Sequence, residues 1–346
     1  MAHYVGHSEG VQNKGLASTM TAASAPPRES ESGGPRLTEP LGQGLADRIG
    51  NTPLLRLDAM TRDLPGVTLL GKAEWHNPGG SVKDRAAWNI VAEGRRSGQF
   101  RPGKILLDAT SGNTGIAYAM LGAAEGFPVT LCMPENVSRE RKQILQSYGA
   151  NILYTAAADG SDGAIRMARE LAAKHPDQYF YADQYSNDAN WKAHYHTTAN
   201  EIWQQTQGRI THFVSMLCTS GTFTGTTRRL RELNPQVQCV SLQPDSSFHG
   251  IEGAKHMPSA MVPKIYDPAL ADRNLEIATE DAYAMARQLS RGAGLLLGIS
   301  AAAAVVGCLK IARELPARDG AEAVMVTILC DSGEKYLSER FWTEGN

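Results

Sequence analysis

The sequence predicts an α/β protein of two domains, each a twisted, mostly parallel sheet flanked by helices. Three observations point there. From about Leu45 onward, short apolar runs of strand length alternate with segments of helical period. Such alternation implies crossover helices, which run the strands parallel and cover both faces of a sheet. The chain of 346 residues also has room for two cores, at roughly 100–200 residues per domain.

The elements follow in order. The first 42 residues are rich in Gly, Ser, Ala and Pro and poor in large apolar side chains, so a disordered arm is expected. Residues 67–74 read as a strand, and 82–97 as a helix with Gly98 near its C-cap. A buried strand follows at 104–109. The next helix is 114–125, stopped by Gly126 with Pro128 just beyond. Strand 129–133, helix 139–148 and strand 151–155 continue the alternation. Helix 162–174 places Ile165, Ala168, Leu171 and Ala172 on one face. A strand at 179–182 and a helix near 191–206 close the first series.

A second series has a strand at 212–217, a helix at 223–233 ended by Pro235, and a strand at 237–243. The stretch 244–268 is longer than an ordinary loop, which suggests a functional segment. A strand at 275–278, a helix from about Glu280, a helix after Ser300 and a strand at 324–329 complete the pattern.

Composition excludes several classes. Lys and Arg number 34 against 36 Asp and Glu, a net charge of −2, so nothing marks the chain for nucleic acid or an anionic membrane. Cys132, Cys218, Cys239, Cys308 and Cys330 are an odd, scattered set with no zinc-knuckle spacing, so no metal is expected and a reducing cytoplasm is the default. The uncharged run 292–309 approaches membrane-spanning length but is dominated by Gly, Ala and Ser; it reads as a buried strand, a turn and a buried helix. No secretory signal is expected at the N-terminus. His194 and His196 do not share a helix face and read as surface histidines.

Four loops concentrate chemistry where ligands bind in such folds, at or near strand-to-helix turns. The first is Asn77-Pro78-Gly79-Gly80-Ser81-Val82-Lys83. A lysine at a helix start opposes the helix dipole, and a partly buried amine there is suited to a Schiff base with a carbonyl. A solvated lysine is the bland alternative. The second, Thr110-Ser111-Gly112-Asn113-Thr114-Gly115, gathers hydroxyls, an amide and helix-terminal N–H groups, a site suited to a carboxylate. Simple capping would use fewer of these groups. The third, Cys218-Thr219-Ser220-Gly221-Thr222, suits a phosphate monoester but lacks the lysine of a nucleotide-binding P-loop. The fourth is Ser300, a hydroxyl in an apolar stretch, which must find a partner if buried. Two anion sites and an imine-forming lysine together imply pyridoxal 5'-phosphate with an amino-acid substrate.

These loops resemble the cysteine synthase and cystathionine β-synthase family. So do Gly50-Asn51-Thr52-Pro53-Leu54 and Asp331-Ser332-Gly333-Glu334-Lys335-Tyr336-Leu337-Ser338. Met133-Pro134-Glu135-Asn136 and Tyr148-Gly149-Ala150 resemble its cysteine synthase B branch. The resemblance implies the fold type II architecture of pyridoxal phosphate enzymes, like the tryptophan synthase β chain. A small mobile domain would span 77–187, and a large cofactor-binding domain 43–76 plus 188–342.

The resemblance also implies roles. Lys83 would hold the cofactor, Asn113 its ring hydroxyl, Cys218, Thr219, Ser220, Gly221 and Thr222 its phosphate, and Ser300 would face the pyridine nitrogen. Thr110, Ser111, Gly112, Thr114 and Gln184 would hold the substrate carboxylate. Cys218 stands where the family has glycine, so the loop there needs a backbone conformation open to other residues. The implied activity is β-replacement on O-acetyl-L-serine with sulfide, giving cysteine. A phosphoserine- or homocysteine-using relative is the alternative, and Asp245 after Gln243-Pro244 disfavours phosphoserine. A homodimer, with serine acetyltransferase as a possible partner, would be usual.

Overall fold

The computed structural model describes residues 42–110, 112–315 and 322–342. The expected disordered arm therefore lies almost wholly outside the described residues, and Ser111 lies outside them too. The chain enters through a short strand β1 (Leu54–Arg56), then β2 (Val67–Ala73), α1 (Lys83–Arg96), β3 (Ile105–Ala109) and α2 (Asn113–Glu125). Next come β4 (Val129–Pro134), α3 (Arg139–Ser147), β5 (Asn151–Thr155), α4 (Gly160–Lys174) and β6 (Tyr179–Tyr181). Helices α5 (Asp188–His196) and α6 (Thr198–Gln205) lead to β7 (His212–Met216), α7 (Gly221–Leu233) and β8 (Gln238–Pro244). The last elements are β9 (Arg273–Ile277), α8 (Thr279–Ala293), α9 (Ile299–Glu314) and β10 (Ala323–Leu329).

Two sheets result. One has six strands in the order β1-β2-β10-β7-β8-β9, and only β1 runs antiparallel to its neighbour. The other has four parallel strands in the order β5-β4-β3-β6. Both are covered on both faces, which is why central strands such as β4 and β10 are buried along nearly their whole length, while the edge strands β1, β5 and β9 stay partly exposed. On β10, Met325 and Leu329 face a core with α8 and α9, while Val326 and Ile328 face one with α6 and α7. On β3, Leu106 packs toward α1 and α2, and Leu107 toward α4.

Three elements differ from the sequence expectation. Strand β1 is new; three residues are too few for a periodic signal. The helix expected near 191–206 is two helices broken at Thr197, whose hydroxyl donates to the Ala193 carbonyl at 2.7 Å and so competes with the helix ladder. In the run 292–309 the expected strand is a single bridge, Leu297 to Ser332, because α8 continues to Ala293 and ends on left-handed Gly294. The stretch after Pro244 has no helix or strand until a short 3-10 turn at Pro268–Leu270.

Candidate active site

Four chain segments that carry candidate residues meet in one cleft. Lys83 is the first residue of α1 and is held at the cleft by the turn before it, where Lys83 N–H donates to Ser81 Oγ at 3.2 Å. Asn113 opens α2 after β3, Cys218, Thr219, Ser220 and Thr222 surround the start of α7 after β7, and Ser300 sits in the first turn of α9. All of these line the same cleft. The sequence thus placed seven candidate residues that the fold does bring together.

The loop after β7 leaves a polar side chain unpartnered at a helix start. Ser220 takes a left-handed backbone, φ 70°, directly before Gly221. Its Oγ is buried and has no partner among the described residues, so a donor is left over at the helix start. Cys218 is absent from the positive-φ residues, so this non-glycine occupies its position without backbone strain.

The second loop behaves differently. Gly112 has φ 152°, and a Cβ there would sit 2.6 Å from Arg141 Cδ, so only glycine fits. Thr110 Oγ1 accepts from Gly112 N–H at 3.1 Å and Gly115 N–H at 3.2 Å, which is capping of α2. Thr114 donates to Gln184 Oε1 at 2.8 Å, and Gln184 Nε2 donates to the Ala109 carbonyl at 2.6 Å. Thr110, Thr114 and Gln184 therefore cluster beside α2, and none lines the cleft itself.

Asn113 is oriented by two partners of opposite kind. Lys335 Nζ can only donate, and it reaches Asn113 Oδ1 at 3.0 Å; the Asp331 carboxylate only accepts, and takes Nδ2 at 2.8 Å. The amide face is thus fixed by chemistry. Tyr336 donates to the same Asp331 oxygen at 2.8 Å. Beside Lys83, burial pushes the Asp84 carboxyl up to about 7, against the Gly79 N–H that donates to it at 2.6 Å.

Sequence reasoning missed the residues behind the cleft. His194 is 1% exposed, not a surface histidine. Its Nε2 lies 3.2 Å from Thr222 Oγ1 and its Nδ1 lies 2.9 Å from Thr198 Oγ1. Asn190, four residues earlier on α5, donates to Thr219 Oγ1 at 3.0 Å and to the Gln184 carbonyl at 2.7 Å. The i, i+4 spacing of Asn190 and His194 was the available signal, since it puts them on one helix face. Asp245 is exposed and lines no part of the cleft. Among the described residues no cluster of His, Cys, Asp or Glu could hold a metal ion, and no helix is long and apolar enough to cross a membrane.

With this geometry in place, comparison with known proteins is informative. The profile of the pyridoxal-phosphate dependent enzymes matches residues 45–331. The chain belongs to that family. It is 49% identical over 298 residues to the cysteine synthase of Aquifex aeolicus, covering 86% of this chain and 91% of that one. It is 42% identical over 294 residues to cysteine synthase B of Escherichia coli, covering 85% and 94%. The structure of O-acetylserine sulfhydrylase isoform 3 from Entamoeba histolytica superposes with a TM-score of 0.80 at 36% identity, covering 89% of this chain and 95% of that one. The architecture is that of fold type II pyridoxal phosphate enzymes. The residues present fit the cofactor: a lysine amine, an unpartnered buried hydroxyl at a helix start and a neutral hydroxyl share one cleft.

Proposed function

We propose that the protein is a cysteine synthase, a pyridoxal phosphate-dependent transferase that replaces the acetate of O-acetyl-L-serine with sulfide. One observation carries this reading: Lys83, Asn113, the Thr219–Thr222 turn and Ser300 converge on a single cleft. The relatives' printed activities agree with it.

Lys83 would hold the cofactor, Asn113 its ring hydroxyl, Thr219, Ser220 and Thr222 its phosphate, and Ser300 its ring nitrogen. Bound there, pyridoxal phosphate supplies an aldehyde for the substrate amine and a ring that draws in the electron pair released at the α-carbon. Lys83 Nζ would take the α-proton and return it to the same carbon, with acetate the leaving group and sulfide the incoming nucleophile at the β-carbon. Proton transfer by one positioned amine is worth roughly 10²–10⁴-fold. The N–H groups at the start of α2, with Thr114 and Gln184, bind the substrate carboxylate in this scheme. Segment 77–187 contains the four-stranded sheet with its own cores. We read it as the small domain, whose closure over substrate excludes water. A homodimer, a serine acetyltransferase partner and a cytoplasmic setting belong to the same reading; the five unpaired thiols suit a reducing compartment.

The test pairs visible absorbance with product formation from sulfide and either O-acetylserine or O-phosphoserine. A visible cofactor band, cysteine formed faster from O-acetylserine, and loss of the band in folded Lys83→Ala are expected. A colourless protein, or a borohydride-reducible adduct on another lysine, refutes the cofactor assignment. Higher kcat/KM with O-phosphoserine refutes the choice of substrate.

A further inference from the structure

Helix α5 is pressed against the start of α7. A Cβ on Gly221 would lie 2.0 Å from Asn190 Oδ1, and one on Gly225 would lie 2.0 Å from the Trp191 carbonyl. Through this contact, α5 sends Asn190 to Thr219 and His194 to Thr222, two hydroxyls that line the cleft. His194 is fully enclosed, and burial lowers its pKa to about 3. The ring is therefore neutral at any physiological pH, with one N–H and one lone pair.

A neutral ring between two hydroxyls has two arrangements. With the proton on Nδ1, the ring donates to Thr198 Oγ1, and Nε2 accepts a hydrogen bond from the Thr222 hydroxyl. Thr222 then shows only lone pairs to the cleft. With the proton on Nε2, the ring donates to Thr222 Oγ1, and the Thr198 hydroxyl donates to Nδ1. The Thr222 hydroxyl proton is then free to point into the cleft. A phosphate oxygen only accepts, so an occupied cradle favours the second arrangement.

We propose that His194 is a positioning residue for the phosphate cradle: in its Nε2–H tautomer it holds Thr222 Oγ1 and turns the Thr222 hydroxyl proton toward the bound phosphate. This rests on the cofactor reading above. It gives a use to a buried histidine that does not itself line the cleft.

The experiment compares pyridoxal 5'-phosphate with pyridoxal, which lacks the phosphate, in titrations of the full chain stripped of cofactor. His194→Leu removes the donor, and His194→Gln keeps an N–H near the Nε2 position. His194→Leu should weaken pyridoxal phosphate binding roughly tenfold to a hundredfold, the range for one hydrogen bond to a charged acceptor. Pyridoxal binding should change less than about twofold, and His194→Gln should recover most of the loss. Nitrogen-15 NMR of the wild-type holoenzyme should show a protonated Nε2 and a bare Nδ1, a readout that needs no variant to fold. Equal losses for both ligands, or a protonated Nδ1 in the holoenzyme, overturn the inference and leave the cofactor reading standing. A wild-type protein that binds neither ligand overturns both.

Discussion

Arg85 is the centre of a buried charge network, and removing it has a calculable cost. Its guanidinium meets Glu74 at 2.8 Å from both Nε and an amino nitrogen, and meets Glu201 at 2.6 and 2.8 Å. Lys72 Nζ lies 2.6 Å from Glu201. The Arg85, Glu74 and Lys72 side chains are at most 1% exposed, so two cations and two carboxylates balance out of water. Arg85→Met keeps much of the volume but leaves two carboxylates facing one ammonium. Breaking such a network from one side costs about 3–5 kcal/mol. The depressed pKa of Glu201 implies a similar figure. Burial opposes ionisation of Glu201, yet hydrogen bonds and charge from Arg85, aided by Lys72, hold its carboxyl down to about 2. A fall from 4.5 to about 2 is worth on the order of 3 kcal/mol. Because the folded pKa is depressed, this stability is fully present above pH 4.5 and is lost as pH falls through about 2. Urea unfolding followed by circular dichroism, at pH 7 and at pH 3, measures it. The variant should be less stable by about 3–5 kcal/mol at pH 7, with the gap narrowing at pH 3. A gap below about 1 kcal/mol at pH 7, or one that widens in acid, would refute the reasoning.

Two further substitutions test the cleft. Gly225→Ala drives a Cβ into the Trp191 carbonyl at 2.0 Å, so α7 must move off α5; about 1–3 kcal/mol of stability and part of the bound cofactor should be lost, measured by thermal unfolding and visible absorbance. Ser300→Asp should retain the cofactor band but lose most cysteine formation, because a carboxylate keeps the pyridine nitrogen protonated where a hydroxyl only shares a hydrogen bond; near wild-type turnover at full occupancy would mean Ser300 does not face that nitrogen.

Much of the fold was legible in the sequence because both sheets are sandwiched between helices. Runs such as Ile105-Leu106-Leu107 and Ile328-Leu329 bury both faces, and helices with one apolar stripe separate them. Periodicity reads such segments directly. What escaped it was set by tertiary contact. Strand β1 exists because Leu54, Leu55 and Arg56 pair with β2, a fact no three-residue window carries. The break between α5 and α6 lies at Thr197, whose hydroxyl accepts from Arg85 at 3.0 Å while donating to Ala193. Arg85 is over a hundred residues away, so the sequence around Thr197 does not announce the contact.

The site divides along the same line. Lys83, Asn113, the Thr219–Thr222 turn and Ser300 were legible because each violates or exceeds what its local element needs: a cation at a helix start, surplus hydroxyls, a polar atom in an apolar run. Thr110 shows the limit of that logic, because its hydroxyl is consumed in capping α2. Asn190 and His194 show the opposite failure. Asparagine and histidine on a short helix look like surface residues, and their i, i+4 spacing puts them on one face without saying that the face is buried. The clue lies in Gly221 and Gly225, one turn apart on α7, whose missing side chains make the room that α5 fills. Asn190 then spans from Thr219 to the Gln184 carbonyl, and Gln184 in turn holds Thr114. The turn proposed to hold the phosphate and the helix proposed to bind substrate carboxylate are thus joined by three consecutive hydrogen bonds. The space left by the two missing side chains is what lets α5 approach closely enough for Asn190 to make these bonds.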